Sequence, residues 1–400
     1  MPLIGVKDKL AYSCTLNVFE YFILKKPALI PLNIAVFTIT TAIALIGVPL
    51  WAIYGSIGWA EIITAIVLFF YTGMSITAGY HRLWSHKTYD AHPIVKVVLA
   101  IGGAMAVQNS ILHWASDHRV HHRHVDQNDV DPYSAKRGFW FSHIGWMLRE
   151  YQAQRYSDYS NCRDLQKDKV VMWQHNYYLP IVIISNFGIT ALLGWLNGDI
   201  LGMMLVAGFA RLVAVHHVTF FINSLAHIWG SRPYTDANSA RDNGILAFFT
   251  FGEGYHNYHH IFEYDYRNGI KWWQYDPTKW LIKSLSWLKL TKNLRTIPEE
   301  RIEKARLQMQ LKHAKNHLIH LPNADEVVAK IQEEYDILVH KMAEYYKTRK
   351  ALVAMKKESL QASYENLELD FKYKELKQSF LLQRDKWQRL HSFYLTPMTA

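Results

Sequence analysis

Apolar residues along this 400-residue chain are gathered into long runs before about residue 230, whereas the last hundred or so positions are dense in Lys, Glu and Gln. Four runs are long enough to cross a hydrocarbon core, which takes roughly 20 helical residues. They are Ala28 to Tyr54, Trp59 to Tyr80, Tyr178 to Leu196 and Ile200 to Phe221. Only the residues around Gly55 to Gly58 separate the first two, and only Asn197, Gly198 and Asp199 the last two. Such short turns force antiparallel neighbours, so the pattern predicts two membrane hairpins. A fifth apolar stretch, Ile94 to Leu112, has Lys96 near its start and Gln108, Asn109 and His113 at its end. It reads as a helix at the interface or packed into a cap.

From about Ile297 the pattern changes. "IPEERIEKARLQMQLKHAKNHL" opens as helices do, with Pro followed by two acids, and breaks at Leu321-Pro322. A second helix is predicted from about Asp325, with Ile331, Tyr335, Leu338, Met342 and Tyr345 at heptad spacing until Arg349 interrupts it. The resulting expectation is an all-α integral membrane protein. Residues 1–28 form a cytosolic segment, 29–290 a four-span domain with a histidine-rich cap, and 291–400 a coiled-coil-like helical extension.

The chain contains 14 Trp, 24 Tyr and 18 Phe, a load suited to aromatic belts and a long apolar cavity. Cys14 and Cys162 form neither a disulfide framework nor a CxxC site, which fits a reducing, cytosol-facing protein. No cleaved signal peptide is expected. Lys7, Lys9, Lys25 and Lys26 precede the first span, Arg82 and Lys87 follow the second, and many cations lie between Arg119 and Lys169, while the two hairpin turns have none. The positive-inside rule then puts both termini and the middle segment in the cytoplasm. Lys and Glu are mixed in the tail, which reads as a solvated helical surface in preference to a site for anionic lipid or an electron-transfer partner, and no nucleic-acid partner is expected.

The chemistry is concentrated in histidine clusters: "HRLWSH" (His81, His86), "HRVHH" (His118, His121, His122) and "HNYHH" (His256, His259, His260), with "NSLAH" placing Asn223 and His227 one turn apart. In an α-helix, residues three and four apart share a face, so each HxxHH can aim three imidazoles at one place. Residues five apart are about 140° apart. His81 and His86 therefore converge best where the second span ends and helical geometry is lost. Neutral imidazole suits Fe, Zn and Cu, and a mononuclear zinc site needs only three or four ligands. Nine histidines and an Asn are enough for two ions.

In this order and around four spans, "HRLWSH", "DHRVHH", "NSLAH" and "GEGYHNYHH" resemble the membrane-bound fatty acyl desaturases, closest to the acyl-CoA Δ9 (stearoyl-CoA) type, over about residues 30 to 275. The resemblance implies that His81, His86, His118, His121, His122, His227, His256, His259 and His260 hold two iron ions, and that Asn223 reaches a metal through water. "VQNSILHWASDH" and "VTFFINSLAH" are similar to the segments lining the family's bent acyl tunnel, which implies substrate contacts for Gln108, Asn109, Trp114 and Thr219. "DPYSAKRGFWFSHIGW" resembles the stretch after the second cluster. The chain departs from the family at Ser116, where acyl-CoA enzymes usually have Arg, at Arg149-Glu150, where a basic pair is expected, and at Phe220, a Trp in relatives. Fewer cations would weaken contacts to CoA phosphates.

The implied reaction takes O2 and two electrons and gives a cis double bond, at Δ9 by the resemblance, in a saturated acyl-CoA such as stearoyl or palmitoyl. Removing hydrogen from an unactivated methylene needs an oxidant that no side chain supplies, so metal and O2 must act, and no catalytic residue beyond the ligands is expected. Asp117, Glu253 and Asp265 are candidates to orient imidazoles through their free ring N–H groups. Gly252 and Gly254 read as a turn, and His216, His113, His124 and His143 as packing or hydrogen-bonding residues. His313, His317 and His320 read as a solvated face, and Arg211 as a costly charge inside the fourth span. The chain has no HPGG heme motif or Cys-based cluster motif, so electrons must come from a separate ferredoxin-, rubredoxin- or cytochrome b5-like donor with a reductase. An acyl-lipid desaturase, a related di-iron hydroxylase and a histidine-rich metal sensor or transporter remain as alternatives. Few polar residues lie in mid-span, which disfavours the transporter.

Overall fold

The computed structural model describes residues 26–318, 320, 323–358 and 364–395. The expected break at Leu321-Pro322, Cys14 and most of the N-terminal segment lie outside them. Among the described residues, four helices are long and apolar enough to cross a membrane: α1 (Pro31–Tyr54), α2 (Trp59–Ser85), α7 (Tyr178–Asn197) and α8 (Ile200–Ile228). Between α2 and α7 lie β1 (Asp90–Ala91), α3 (Pro93–Met105), α4 (Ile111–His124), α5 (Phe139–His143) and α6 (Lys169–Asn176). After α8 come α9 (Gly244–Phe249), α10 (His256–Ile261), α11 (Pro277–Trp287), β2 (Thr291–Lys292), α12 (Glu299–Leu318), α13 (Ala324–Glu358) and α14 (Tyr364–Leu395). The chain packs as two compact units, residues 1–72 with 104–224 and residues 73–103 with 225–400.

In the first unit the two hairpins are tied at their turns. Glu61 accepts from Asn197 Nδ2 at 2.6 Å and from Gly58 N at 2.9 Å, and Asp199 accepts from Trp51 Nε1 at 3.2 Å. Both turns therefore lie at the same end of their helices. Gly198 takes the left-handed backbone (φ 83°) that closes α7. The fifth apolar stretch departs from the single helix the pattern predicts. It breaks after Met105, and Val107 and Asn109 both have positive φ. The helix-end carbonyls that this break frees are taken up by α8: Arg211 Nη1 donates to Met105 O at 3.2 Å, and His216 Nε2 lies 2.9 Å from Ala106 O. Arg211 also donates to Asn186 Oδ1 at 2.6 Å, so this intramembrane charge is buried among acceptors and does not face lipid.

In the second unit the end of α2 does not stop where the sequence pattern stops. Residues Ser75–Ser85 continue as a wider π-helix, all of them buried. Gly103 permits this packing, because a Cβ there would come within 2.1 Å of the Tyr80 ring. β1 pairs antiparallel with β2, Asp90 opposite Lys292 and Ala91 opposite Thr291. The tail packs as three helices. Helix α13 runs on through Arg349 to Glu358, and α14 adds Phe380 and Trp387 to a core of Leu307, Leu311, Leu318, Ile331, Tyr335, Leu338 and Met342.

Candidate metal centre

The π-helical turn explains how His81 and His86 meet. In an α-helix they would diverge, but here the His86 N–H donates to the His81 carbonyl, five residues back, at 3.1 Å. Five-residue spacing now stacks the side chains, and the ring centroids are 4.8 Å apart. The convergence expected from loss of helical geometry is achieved by widening the helix. On α10, His259 joins them: its Nε2 lies 2.9 Å from His81 Nε2, and its ring is 4.6 Å from that of His86. The ligand atoms of His81, His86 and His259 all lie within 4.8 Å of one another.

The same helix face also builds a second triad. His256 Nε2 is 3.1 Å from both His227 Nε2 and His260 Nε2. Helix α10 therefore sends His259 to one group and His256 and His260 to the other, as its three- and four-residue spacings allow. In the first unit, His118 and His122 on α4 bring their ligand atoms within 4.8 Å of one another, and their rings are 4.6 Å apart. His121 lies further from both, with centroids at 6.1 and 5.7 Å.

These imidazoles are held from behind. His227 Nδ1 is 2.8 Å from Ser239 Oγ, His121 Nδ1 is 2.8 Å from Asp131 Oδ1, and His118 Nδ1 is 3.1 Å from the Tyr133 hydroxyl. His81 Nδ1 is 2.9 Å from Glu253 Oε2, and His86 Nδ1 is 3.8 Å from Glu263. At His81, His118, His121 and His227, where Nδ1 is anchored, the tautomer that leaves Nε2 deprotonated aims a lone pair inward. Facing Nε2 atoms about 3 Å apart repel when both carry lone pairs, and a cation between them relieves that repulsion. The donor set is neutral imidazole throughout, which fits iron, zinc or copper, so these residues suit a metal.

Glu253 is the hub of this support. Its Oε1 accepts from Arg82 Nη2 at 2.9 Å and Nε at 3.2 Å, and its Oε2 accepts from Asn268 Nδ2 at 2.7 Å. Arg82 also donates to Asp276 Oδ2 at 3.1 Å and to the Tyr266 carbonyl at 2.8 Å. Burial alone would push the Glu253 carboxyl up, but His81 and Arg82 beside it hold it down at about 2. The other two acids named from the sequence lie elsewhere. Asp117 is 3.4 Å from His113, and Asp265 accepts from the Tyr258 hydroxyl at 2.8 Å, from Arg267 and from Ile297 N at 2.8 Å. Asp265 thus braces α10 without touching an imidazole in these contacts. Sequence reasoning missed Ser239, Asp131, Tyr133, Glu263 and Arg82. Only Arg82, inside "HRLWSH", and Asp131 and Tyr133, in the "DPY" stretch, lay in segments already singled out.

The residues named as substrate contacts lie along the α3–α4 break. Gln108 Nε2 donates to Thr219 Oγ1 at 3.0 Å, the Asn109 N–H donates to the Tyr178 hydroxyl at 2.9 Å, and Trp114 stacks on His118 with centroids 4.8 Å apart. Asn223 is the last residue of the α-helical segment Arg211–Asn223, and His227 follows in Leu225–Ile228.

Four spans and buried, braced imidazole groups define a multi-pass membrane protein built to bind metal. The comparison with known sequences makes that class specific: the Fatty acid desaturase family profile matches residues 57–286. The chain belongs to the fatty acid desaturase family. It is 47% identical over 271 residues to a probable acyl-CoA desaturase of Schizosaccharomyces pombe, covering 66% of this chain and 56% of that protein. It is 44% identical over 248 residues to acyl-CoA desaturase 1 of Saccharomyces cerevisiae, covering 61% and 48%. Against stearoyl-CoA desaturase 5 of Bos taurus it is 37% identical over 243 residues, covering 60% and 72%. The chain thus spans about half the length of the two yeast relatives.

Proposed function

We propose that the protein is an O2-dependent acyl desaturase that introduces a cis double bond, at Δ9, into a saturated acyl-CoA. It uses two irons held by the nine histidines, with Asn223 reaching one through water. The observation that carries this reading is the pair of triads sharing α10, His81, His86 and His259 on one side and His227, His256 and His260 on the other. A single structural ion would use one of them. The names of the relatives, acyl-CoA and stearoyl-CoA desaturases, support the substrate.

Bound iron with O2 would supply the oxidising power that protein groups lack. The chain's own residues then do three things. Glu253, Ser239, Asp131 and Tyr133 fix imidazole tautomers and ring orientations. Gln108 and Thr219, joined across the α3–α4 break, would bend the acyl chain, and Trp114, stacked on His118, would press the bend toward the ligands. Geometry of this kind selects which carbons react. Electrons come from a separate donor, and the histidine centre and both termini face the cytoplasm, in keeping with the cations around the spans.

A second carrier is favoured by particular contacts. Position 116 carries a neutral serine, whose hydroxyl donates to Asn161 Oδ1 at 2.8 Å, and position 150 carries an acid beside Arg149, so two cations that would meet CoA phosphates are missing. An acyl-lipid substrate asks for fewer such cations. The test is expression in a desaturase-deficient host with mass-spectrometric location of the double bond, followed by purified enzyme on acyl-CoA and on phospholipid. Iron at two per chain with O2-dependent monounsaturated product is expected. Two irons without product under any donor would overturn the reading.

A further inference from the structure

The second unit carries a large exposed aromatic surface outside the histidine centre. Trp272 is 87% exposed, Trp287 72% and Trp273 60%, and Trp280, Ile245 and Phe248 are exposed beside them. Contacts join its middle: Phe248 packs on Tyr275 at 4.9 Å, and Tyr275 packs on Trp280 at 5.5 Å, while Trp287 lies seven residues, about two helical turns, beyond Trp280 on the same helix. The exposure does not come from a loose loop. The Lys279 ammonium donates to the carbonyls of Lys271 at 2.7 Å and Gln274 at 3.2 Å and also to that of Gly269, clamping the turn that displays Trp272 and Trp273. Asp276 accepts from Asn268 N at 2.9 Å, Gly269 N at 3.0 Å and Lys279 N at 2.9 Å, fixing the same turn to the start of α11. A rigid scaffold that holds bulky apolar groups in the open has something to meet.

The fold indicates what that is. A helix crosses a hydrocarbon core in about 20 residues, so counting from Trp59 the core ends near Ala78. At that level Thr77 Oγ1 is 2.8 Å from Thr278 Oγ1, at the start of α11. Thr278 also donates to the Phe251 carbonyl at 2.9 Å, and the Phe251 ring presses so closely on Gly73 that a Cβ there would lie 2.1 Å from it. The far end of α11 is pinned as well, by the β1–β2 pair and by the His92 N–H donating to Leu290 O at 2.8 Å. Helix α11 and its aromatic face are thus fastened to the span where hydrocarbon gives way to headgroups. Tryptophan favours that level, and the exposed Lys271, Lys283 and Lys289 suit anionic headgroups.

We propose that this face lies in the bilayer's headgroup–acyl boundary, making α11 and the Trp272–Trp273 turn an in-plane anchor. The anchor leads directly into the metal-binding segment, because α9, which carries Phe248, is followed by Phe251, Glu253 and α10. It would set the height of those histidines above the membrane. The inference goes beyond the desaturase reading and does not depend on it.

The test uses the full chain, one copy per nanodisc of phosphatidylcholine with a minority of phosphatidylglycerol. Cys14→Ser removes one natural thiol, and Cys162 is buried. Nitroxide labels are placed singly at Trp273, Trp280 and Trp287, with Glu344 in the tail as an exposed control. Collision rates with dissolved O2 and with a water-soluble nickel chelate report depth. The expected result is a chelate rate several-fold lower, and an O2 rate higher, at the three labels than at Glu344. Rates like the control at all three overturn the proposal. So does shielding that appears only when a second copy or a donor protein is added. Because depth and not turnover is read, failure here is separate from failure of the desaturase assignment.

Discussion

Replacing Arg82 by Met tests the claim that a buried ion network, and not the histidines alone, holds the first triad in shape. Arg82 is 1% exposed, Glu253 2% and Asp276 fully buried. The guanidinium spends its N–H groups on two carboxylates and one carbonyl. Removing one partner of a buried pair costs about 3–5 kcal/mol, because the other charge is left uncompensated. Two carboxylates are stranded here, but the loss is not double: Asp276 keeps the N–H groups of Asn268, Gly269 and Lys279, and Glu253 keeps Asn268 Nδ2 and His81. We therefore take about 3–5 kcal/mol for Arg82→Met. At about 2–4 °C per kcal/mol for a unit of some 200 residues, the midpoint of thermal unfolding should fall by at least about 6 °C. Arg82→Lys should fall in between, since an ammonium cannot bridge both carboxylates as the planar fork does. The assay is tryptophan-fluorescence melting in detergent, with iron retained per chain measured on the same samples. Arg82→Met with a wild-type midpoint and wild-type iron content would refute the reasoning, and Arg82→Lys equal to wild type would refute the part that rests on the fork.

Four further outcomes are expected. Ser239→Ala removes the oxygen behind His227 Nδ1 and should weaken metal binding by about 10–100-fold, read by competition with a chelator, with little change in melting. Gly103→Ala drives a Cβ into the Tyr80 ring and should cost about 1–3 kcal/mol, read as a lowered melting midpoint. Asp242 is pushed up to about 7 by burial, against the hydrogen bond from the Tyr258 N–H. A raised folded-state value means that its ionisation opposes folding: the stability it permits is complete below the unfolded value near 4, declines as pH rises toward 7, and is flat above. The melting midpoint of Asp242→Asn relative to wild type should therefore rise between pH 5 and 8, and a constant difference would contradict this. Trp387→Ala, at a site 1% exposed and bonded to Gln310 at 2.9 Å, should cost about 3–5 kcal/mol and make the tail helices sensitive to trypsin.

What the sequence determined on its own was whatever depends on local periodicity and composition. The four spans follow from run length alone, and the short turns at Gly55 to Gly58 and Asn197 to Asp199 make each pair a hairpin. The spacings of "HNYHH" put three histidines near one another on a single helix, though not their division between two groups, and the heptad from Ile331 to Met342 foretells a buried stripe.

The tertiary structure decided what depends on partners far along the chain. His81 and His86 meet because a backbone bond shifts from four to five residues, a choice made by the packing of Ser75–Ser85 that hydrophobic periodicity does not record. Glu253 reaches His81 from 172 residues away, and Ser239 approaches His227 across a loop, so the orientation of each ring is set by contacts that no short motif contains. Helix α3 breaks at Met105 because Arg211 and His216 on α8 supply donors for its freed carbonyls, which turns an apparently costly intramembrane charge into a cap. A motif can name an imidazole, but an imidazole becomes a ligand only when its ring is turned, and the hydrogen bonds that turn it are made by the fold.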